Sequence, residues 1–281
     1  MKKLIAMLLA LTMVLAFAGC AKTETAPETT AAPETEAAVA PEDTAPAAAE
    51  EGMLDGGADI AVDAAPAVMT YEEFMAADVE AEVCIETYVQ ATRSWWADTI
   101  CVYAQGPDGA YFMYDMACSE EDAAKLVPGT KIRVTGDKAE FDGEVEIMNA
   151  TFEFVEGGDT WIAEALDVTA LLGTDELIAH QNEFVSFAGL EVVASTDANG
   201  NEAAFLYNWD GSGEQGNDLY FNVKVNDQVY NFCVESYLCG ADTEVYKAVE
   251  ALQIGDVINA EGFLYWYDGI NPHITSVTPA A

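Results

Sequence analysis

The chain has 281 residues, with 50 Asp or Glu against 10 Lys or Arg and a formal net charge of −40. A field of that sign repels phosphate backbones and anionic lipid surfaces, so nucleic acid is not expected as a partner; cationic ligands, divalent ions or plain solubility suit it better. Once a polar N-terminal stretch is set aside, the length suits one large β-domain or two of about 100 residues.

The chain opens with Lys2 and Lys3, then an apolar run over residues 4–17 interrupted only by Thr12. This has the form of an export signal, and it falls short of the roughly 20 residues a membrane-spanning helix needs. Phe17-Ala18-Gly19-Cys20 resembles the bacterial lipobox. The resemblance implies cleavage after residues 1–19, lipidation of Cys20, and a lipoprotein exported to the cell envelope, facing outside the cytoplasm with its lipid in the membrane. Two acyl chains on one thiol make a stable anchor. The alternative is an ordinary secretory signal followed by a chance cysteine. Residues 20–68 are rich in Ala, Glu, Thr and Pro, and residues 21–50 contain no aromatic side chain. Such a segment cannot bury enough apolar surface to offset its ordering entropy and reads as a disordered acidic tether. The section 60–68 is less polar and could instead pack on the adjoining domain as an N-terminal extension.

A first domain is expected over 69–165. Thr70 and Glu73 are spaced as a capping box for a short helix. Strands follow at 82–91, 99–105 and 110–117, the first with Val83, Ile85 and Val89 on one face and Glu86, Tyr88 and Gln90 on the other. Pro107-Asp108-Gly109 is a turn. A helix is expected at 119–127, capped by Ser119 and closed by Pro128-Gly129. Residues 131–135 alternate, with Ile132 and Val134 inward and Lys131 and Arg133 outward. Asp142-Gly143 then turns the chain into a strand at 145–155. A second domain, 166–281, repeats the plan: a helix from Thr174 to about His180, strands at 184–193 and 203–207, a hairpin of 219–225 with 229–236 extending the third strand, a helix at 242–252, and closing strands at 255–267 and 273–277.

The halves share a spacing skeleton. Gly129, Gly136 and Asp142-Gly143 recur with the same separations as Gly255, Gly262 and Asp268-Gly269, and Leu126 and Leu252 each stand three residues ahead of the first glycine. Cys118 and Cys239 each close the preceding apolar run. A fixed spacing of this kind marks a duplication. Three strands, a helix and two strands, with the run Leu126-Val127-Pro128-Gly129-Thr130-Lys131-Ile132-Arg133-Val134-Thr135-Gly136 on the fourth strand, resemble the OB-fold. The resemblance implies a mainly β protein with short helices, built as two tandem five-stranded OB-like Greek-key barrels. A fold-level likeness does not by itself assign a function.

Cys84, Cys101, Cys118, Cys233 and Cys239 form no CxxC or His/Cys metal spacing; they read as small buried hydrophobes, with a Cys84–Cys101 bridge as an option. Only His180 and His273 are available as imidazoles, so no Ser-His-Asp or Cys-His constellation is visible and no enzyme is expected. His180, late on a short helix, is expected at the surface, and His273, after Asn271-Pro272, at a strand end. Carboxylate pairs such as Glu144 and Glu146 are too common in so acidic a chain for spacing to single one out. No cofactor motif is present. Asp197, Asn199 and Asn201 place oxygens at alternate positions like the start of a calcium loop; the glycine and glutamate of such a loop are out of place, and turn chemistry explains the run equally well. No other metal site is expected.

Aromatic side chains give the binding signal. The OB resemblance implies ligand contacts from the first–second and fourth–fifth loops. Arg93, Trp95 and Trp96 fall in the first of these in the first domain, and Tyr265, Trp266 and Tyr267 in the last hairpin of the second, with Trp209 in a nearby loop. They could stack on sugar rings or clamp a peptide. Alternatively, one Trp of each set plugs a barrel end while strand alternation sends Tyr265 and Tyr267 outward. The sequence therefore leads to a non-enzymatic lipid-anchored protein with two binding modules for a saccharide, peptide or protein. A structural or assembly protein of the envelope is the alternative, and a secreted hydrolase a distant third.

Overall fold

The computed structural model describes residues 66–280. The stretches expected to be an export signal and a tether, with the expected lipidation site Cys20, lie outside the described residues through residue 65; residues 66–68 are exposed and without regular structure.

The fold is mainly β, two closed five-stranded OB-like barrels in tandem. In the first, α1 (Tyr71–Ala76) starts at the expected box: the Thr70 side chain accepts from the Glu73 amide, and Glu73 reaches back to the Thr70 amide at 2.8 Å. The barrel strands are β1 (Glu82–Thr92), β2 (Thr99–Gly106), β3 (Gly109–Ala117), β4 (Lys131–Phe141) and β5 (Glu144–Phe154). They close in the order β1-β2-β3-β5-β4, with β3 and β5 parallel. Between β3 and β4 lies α2, a single turn over Glu120–Ala123 and shorter than the expected 119–127, although Ser119 caps it. The run of small and acidic residues there offers no apolar face to extend it. Val83, Ile85, Val89, Ile132 and Val134 are all buried inside. On the outer face Lys131 and Arg133 reach Glu86 at 2.8 and 2.7 Å.

The second barrel is entered through β6 (Leu166–Asp167) and two 3-10 segments, Thr169–Leu171 and Asp175–His180. The expected helix at 174–180 is thus 3-10, without a side-chain cap from Thr174. Next come β7 (Phe184–Val193), a small β8 (Ser195–Thr196) and β9 (Glu202–Ala203) pair, β10 (Leu206–Tyr207), β11 (Leu219–Val225), β12 (Gln228–Val234), α3 (Glu244–Glu250), β13 (Val257–Phe263) and β14 (His273–Pro279). The expected second strand, 203–207, is corrected. Its residues belong to short edge pieces, and the true second and third barrel strands are β11 and β12, joined at Asn226-Asp227 with both φ positive. Pairing of β11 with β7 closes the ring as β7-β11-β12-β14-β13, the order of the first barrel.

The shared glycines explain why the halves coil alike. Gly129 and Gly255 have φ of +88° and +95°, and each donates to the end of its barrel's first strand, at Val89 and Val192, over 2.8 Å. Gly136 and Gly262 sit where the fourth strand presses against the fifth. A Cβ on Gly136 would meet the Met148 carbonyl at 2.7 Å, and one on Gly262 would strike the backbone of His273 and Ile274. Both lie at a shift in strand register, the kind of close approach that needs glycine. The expected outcome for Gly136→Ala or Gly262→Ala is a loss of about 1–3 kcal/mol in urea unfolding, as for other overpacked sites. An unchanged midpoint in both variants would contradict this origin of the coil.

Candidate functional site

The two barrels meet along a seam built largely of aromatic rings. Tyr103 of β2 is fully buried and stacks on Phe263 of β13 at 4.5 Å and 18°. Its hydroxyl hydrogen-bonds His273 Nδ1 at 2.5 Å. Phe112, Cys101 and Phe184 complete this cluster, with Tyr265 edge-on to Phe112. Arg93, at the end of β1, lies over the Phe112 ring at 5.2 Å, donates to the Tyr103 hydroxyl at 3.4 Å and sits 3.1 Å from Glu235 Oε2 in the second barrel. Burial alone would favour loss of the arginine charge, but its phenol and carboxylate neighbours hold it protonated. Neither Arg93 Nε nor Glu235 Oε2 achieves hydrogen-bond geometry in that pair. Burial drives the His273 ring, with Arg93 nearby, to its neutral form.

Polar contacts flank the cluster. The Ser94 amide donates to the Tyr237 carbonyl at 2.7 Å. Gln181 takes the Val145 amide on Oε1 and gives Nε2 to the Gly143 carbonyl, and the Asp268 amide donates to the Asp142 carbonyl at 2.8 Å. The turn glycine of the first barrel's last hairpin faces Trp266, whose ring leaves no room for a Cβ there.

Two cavities open on this seam, and Arg93 lines both. One, of about 540 Å³, is bordered by Trp96, Thr99, Ile100, Tyr114, Asp115 and Tyr237. The other, of about 660 Å³, is bordered by Trp209, Asp218, Tyr220, Glu235, Tyr265, Tyr267 and His273. Their aromatic rims are bare: Trp96 is 78% exposed, Trp209 76%, Tyr237 65% and Tyr267 52%. Trp96 is presented by a two-residue hairpin. It exchanges both backbone hydrogen bonds with Thr99 around Ala97 and Asp98, which have φ of +48° and +62°.

Of the residues singled out in the sequence, Arg93, Trp96, Trp209, Tyr265 and Tyr267 therefore border one junction. Trp95 and Trp266 line neither cavity, although the Trp266 ring meets Gly143 across the seam. Trp95 packs on the first core and donates Nε1 to the Cys118 carbonyl at 2.8 Å, while Trp266 packs on the second. Tyr114, Asp218, Glu235 and Tyr237 were missed. Glu235 alone carried a signal, as a carboxylate ending the buried run Phe232-Cys233-Val234. Asp197 is consumed by its own turn, with Oδ1 accepting from the Asn199 and Asn201 amides and Oδ2 from the Asn201 side chain. Among the described residues no group of three His, Cys, Asp or Glu is placed to hold a metal ion. Cys84 and Cys101 are free thiols rather than a bridge. Cys84 pairs across to Thr135 of β4 while Cys101 faces the seam. His180 is partly buried and lies 3.0 Å from Glu183.

No family model matches the chain, and no curated protein does. Among solved structures it is similar to the hypothetical protein ygiW from E. coli, at 14% identity and a TM-score of 0.25, covering 32% of this chain and 91% of that one. It is also similar to the p204 HINb domain, at 12% identity and a TM-score of 0.33, covering 73% and 99%. A third is the Ifi202 HINa domain in complex with 20bp dsDNA, at 9% identity and a TM-score of 0.33, covering 72% and 100%. These likenesses concern the fold and assign no ligand to this chain. Two of the similar structures are bound to double-stranded DNA, which stands against the expectation that nucleic acid is not a partner. The exclusion rested on net charge, a sum over the whole chain that includes the acidic stretch before residue 66 and does not describe any one surface.

The seam also buries Glu144, whose pKa burial raises from 4.5 to about 8 despite the opposing influence of the nearby Asn182 side chain and the Trp266 amide. The Trp266 amide donates to Oε2 at 2.9 Å. Asn182 gives Nδ2 to the Val145 carbonyl, which leaves its Oδ1, like Glu144 Oε1, without a donor. A proton on Glu144 resolves both. Folded protein thus holds a proton that the unfolded chain releases above about pH 4.5, so this group's stabilisation is complete in acid and is lost as pH rises toward about 8. Glu144→Gln, which can donate to Asn182 without charge, should remove up to about 1.4 kcal/mol per pH unit of that slope. Urea midpoints taken from pH 5 to 9 check it; parallel curves for variant and parent would contradict a protonated Glu144.

Proposed function

We propose that this chain is an exported, lipid-anchored binding protein without enzymatic activity, and that its ligand, a saccharide, peptide or protein segment, lies in the groove where the two barrels meet. The carrying observation is that four well-exposed aromatic side chains from separate loops, Trp96, Trp209, Tyr237 and Tyr267, rim two cavities that share Arg93. Exposed Trp and Tyr beside a concave surface, with a few polar groups at its floor, is the usual composition of a recognition site. The lipobox-like Phe17-Ala18-Gly19-Cys20 supports the anchor, and the acidic Ala/Glu/Thr/Pro segment would hold the barrels away from the membrane. An assembly role in the envelope draws support from Phe141 and Tyr267, two exposed rings 5.9 Å apart on neighbouring hairpins, which would suit a flatter partner.

Calorimetric titration of the full chain against cell-wall glycan fragments, peptides and a DNA duplex tests the groove. Trp96→Ala and Trp209→Ala, both at exposed positions and so harmless to the fold, should each weaken the ligand that binds on the order of tenfold. A ligand whose affinity ignores both substitutions would contradict the junction as the binding site.

A further inference from the structure

We propose that the cavity bordered by Trp209, Tyr265 and Tyr267 takes the lysine or arginine side chain of a basic peptide, held against aromatic faces and the Asp218 carboxylate. This rests on the junction groove being a binding site and names what enters it.

Four aromatic side chains, Trp209, Tyr220, Tyr265 and Tyr267, border this cavity together with Asp218 and Glu235. Aromatic faces attract cations through their quadrupoles, most strongly where water is partly excluded. Asp218 is not spent: it takes both of its hydrogen bonds among the described residues, from the Ser236 amide and hydroxyl, on Oδ1 alone. Glu235 is buried against Arg93, whose Nε lies 3.1 Å from its Oε2, so Asp218 supplies the uncompensated charge.

The positive charge already at the site does not oppose a second one strongly. Arg93 is committed to Tyr103, Phe112 and Glu235, and burial keeps His273 neutral. With Arg93 balanced by Glu235, Asp218 leaves the cavity negative. Past Arg93, the first cavity offers a second station of the same composition, with Trp96, Tyr114, Tyr237 and Asp115. A polypeptide with basic residues at intervals can occupy both, which favours a peptide over a single amine.

The probe is an eight-residue lysine peptide titrated into the full chain, compared with its Nε-acetylated form, with uncharged N-acetylglucosamine trimer and with the corresponding glucosamine trimer. Binding of the lysine peptide should weaken about tenfold in Trp209→Ala and in Asp218→Asn, which keeps the Oδ1 acceptor; that is about 1.4 kcal/mol. It should change less than about twofold in Glu121→Gln, an exposed carboxylate that lines neither cavity. The acetylated peptide should not compete. If the acetylated peptide or the uncharged trimer binds with the same dependence on Trp209, the groove stands and the cation is wrong. If only the glucosamine trimer shows that dependence, an amino sugar replaces the peptide and the proposal fails. If Glu121→Gln weakens the lysine peptide as much as Asp218→Asn does, diffuse charge explains binding and the proposal fails. If no probe responds to Trp96 or Trp209, the groove itself is not a site.

Discussion

Tyr103 is the residue on which the architecture turns. It belongs to the first barrel by sequence, yet its ring lies on Phe263 and its hydroxyl bonds His273, both in the second. A buried hydroxyl without a partner is costly, and His273 is the partner the second barrel supplies to Tyr103 beside Arg93 of its own barrel. Each fully buried aromatic ring contributes roughly 2–3 kcal/mol by removal from water, and the seam holds several. The Arg93–Glu235 pair sits within 3.1 Å but out of hydrogen-bond alignment. Desolvation offsets much of the attraction in such a pair, so its net stabilisation is small even though removing one partner would be damaging. Apolar contact therefore holds the barrels together, and the charges set where the groove lies and what potential it carries.

The same seam unites the two levels of the molecule. Each barrel needs its glycines for closure, Gly129 and Gly136 in one and Gly255 and Gly262 in the other. Closure in turn fixes where the loops emerge. The tight Ala97-Asp98 turn points Trp96 to one side of Arg93 while the β13–β14 hairpin and the loop after β10 bring Tyr267 and Trp209 to the other. Each cavity takes one residue from the other barrel, Tyr237 in the first and Arg93 in the second.

Much of this plan was legible in the chain. The alternation on β1 and β4, the Thr70 box and the repeated glycine spacing each carry a local physical requirement, and each sits where its pattern implied. The strand at 184–193 fell on its observed bounds. The failures share a cause, which is that local patterns do not encode tertiary neighbours. Short apolar pieces near 203–207 imitate a barrel strand because the insertion around them contains its own small ladder, and β11 was misread as an extension. Trp95 and Trp96 are adjacent in a loop, where no two-residue alternation decides which faces the core. Glu144 looked like one carboxylate among many because only docking of the second barrel buries it. Net charge is a sum over the whole chain and does not describe the potential of any one surface.

The central claim is that the aromatic seam makes the barrels one cooperative body with the groove fixed between them. Scanning calorimetry of the full chain, alongside Tyr103→Ala, tests it most directly. The account predicts one transition in the parent, with calorimetric and van't Hoff enthalpies in agreement, and two separable transitions once Tyr103 is truncated. Two independent transitions in the parent would contradict it, since the barrels would then be beads that happen to touch.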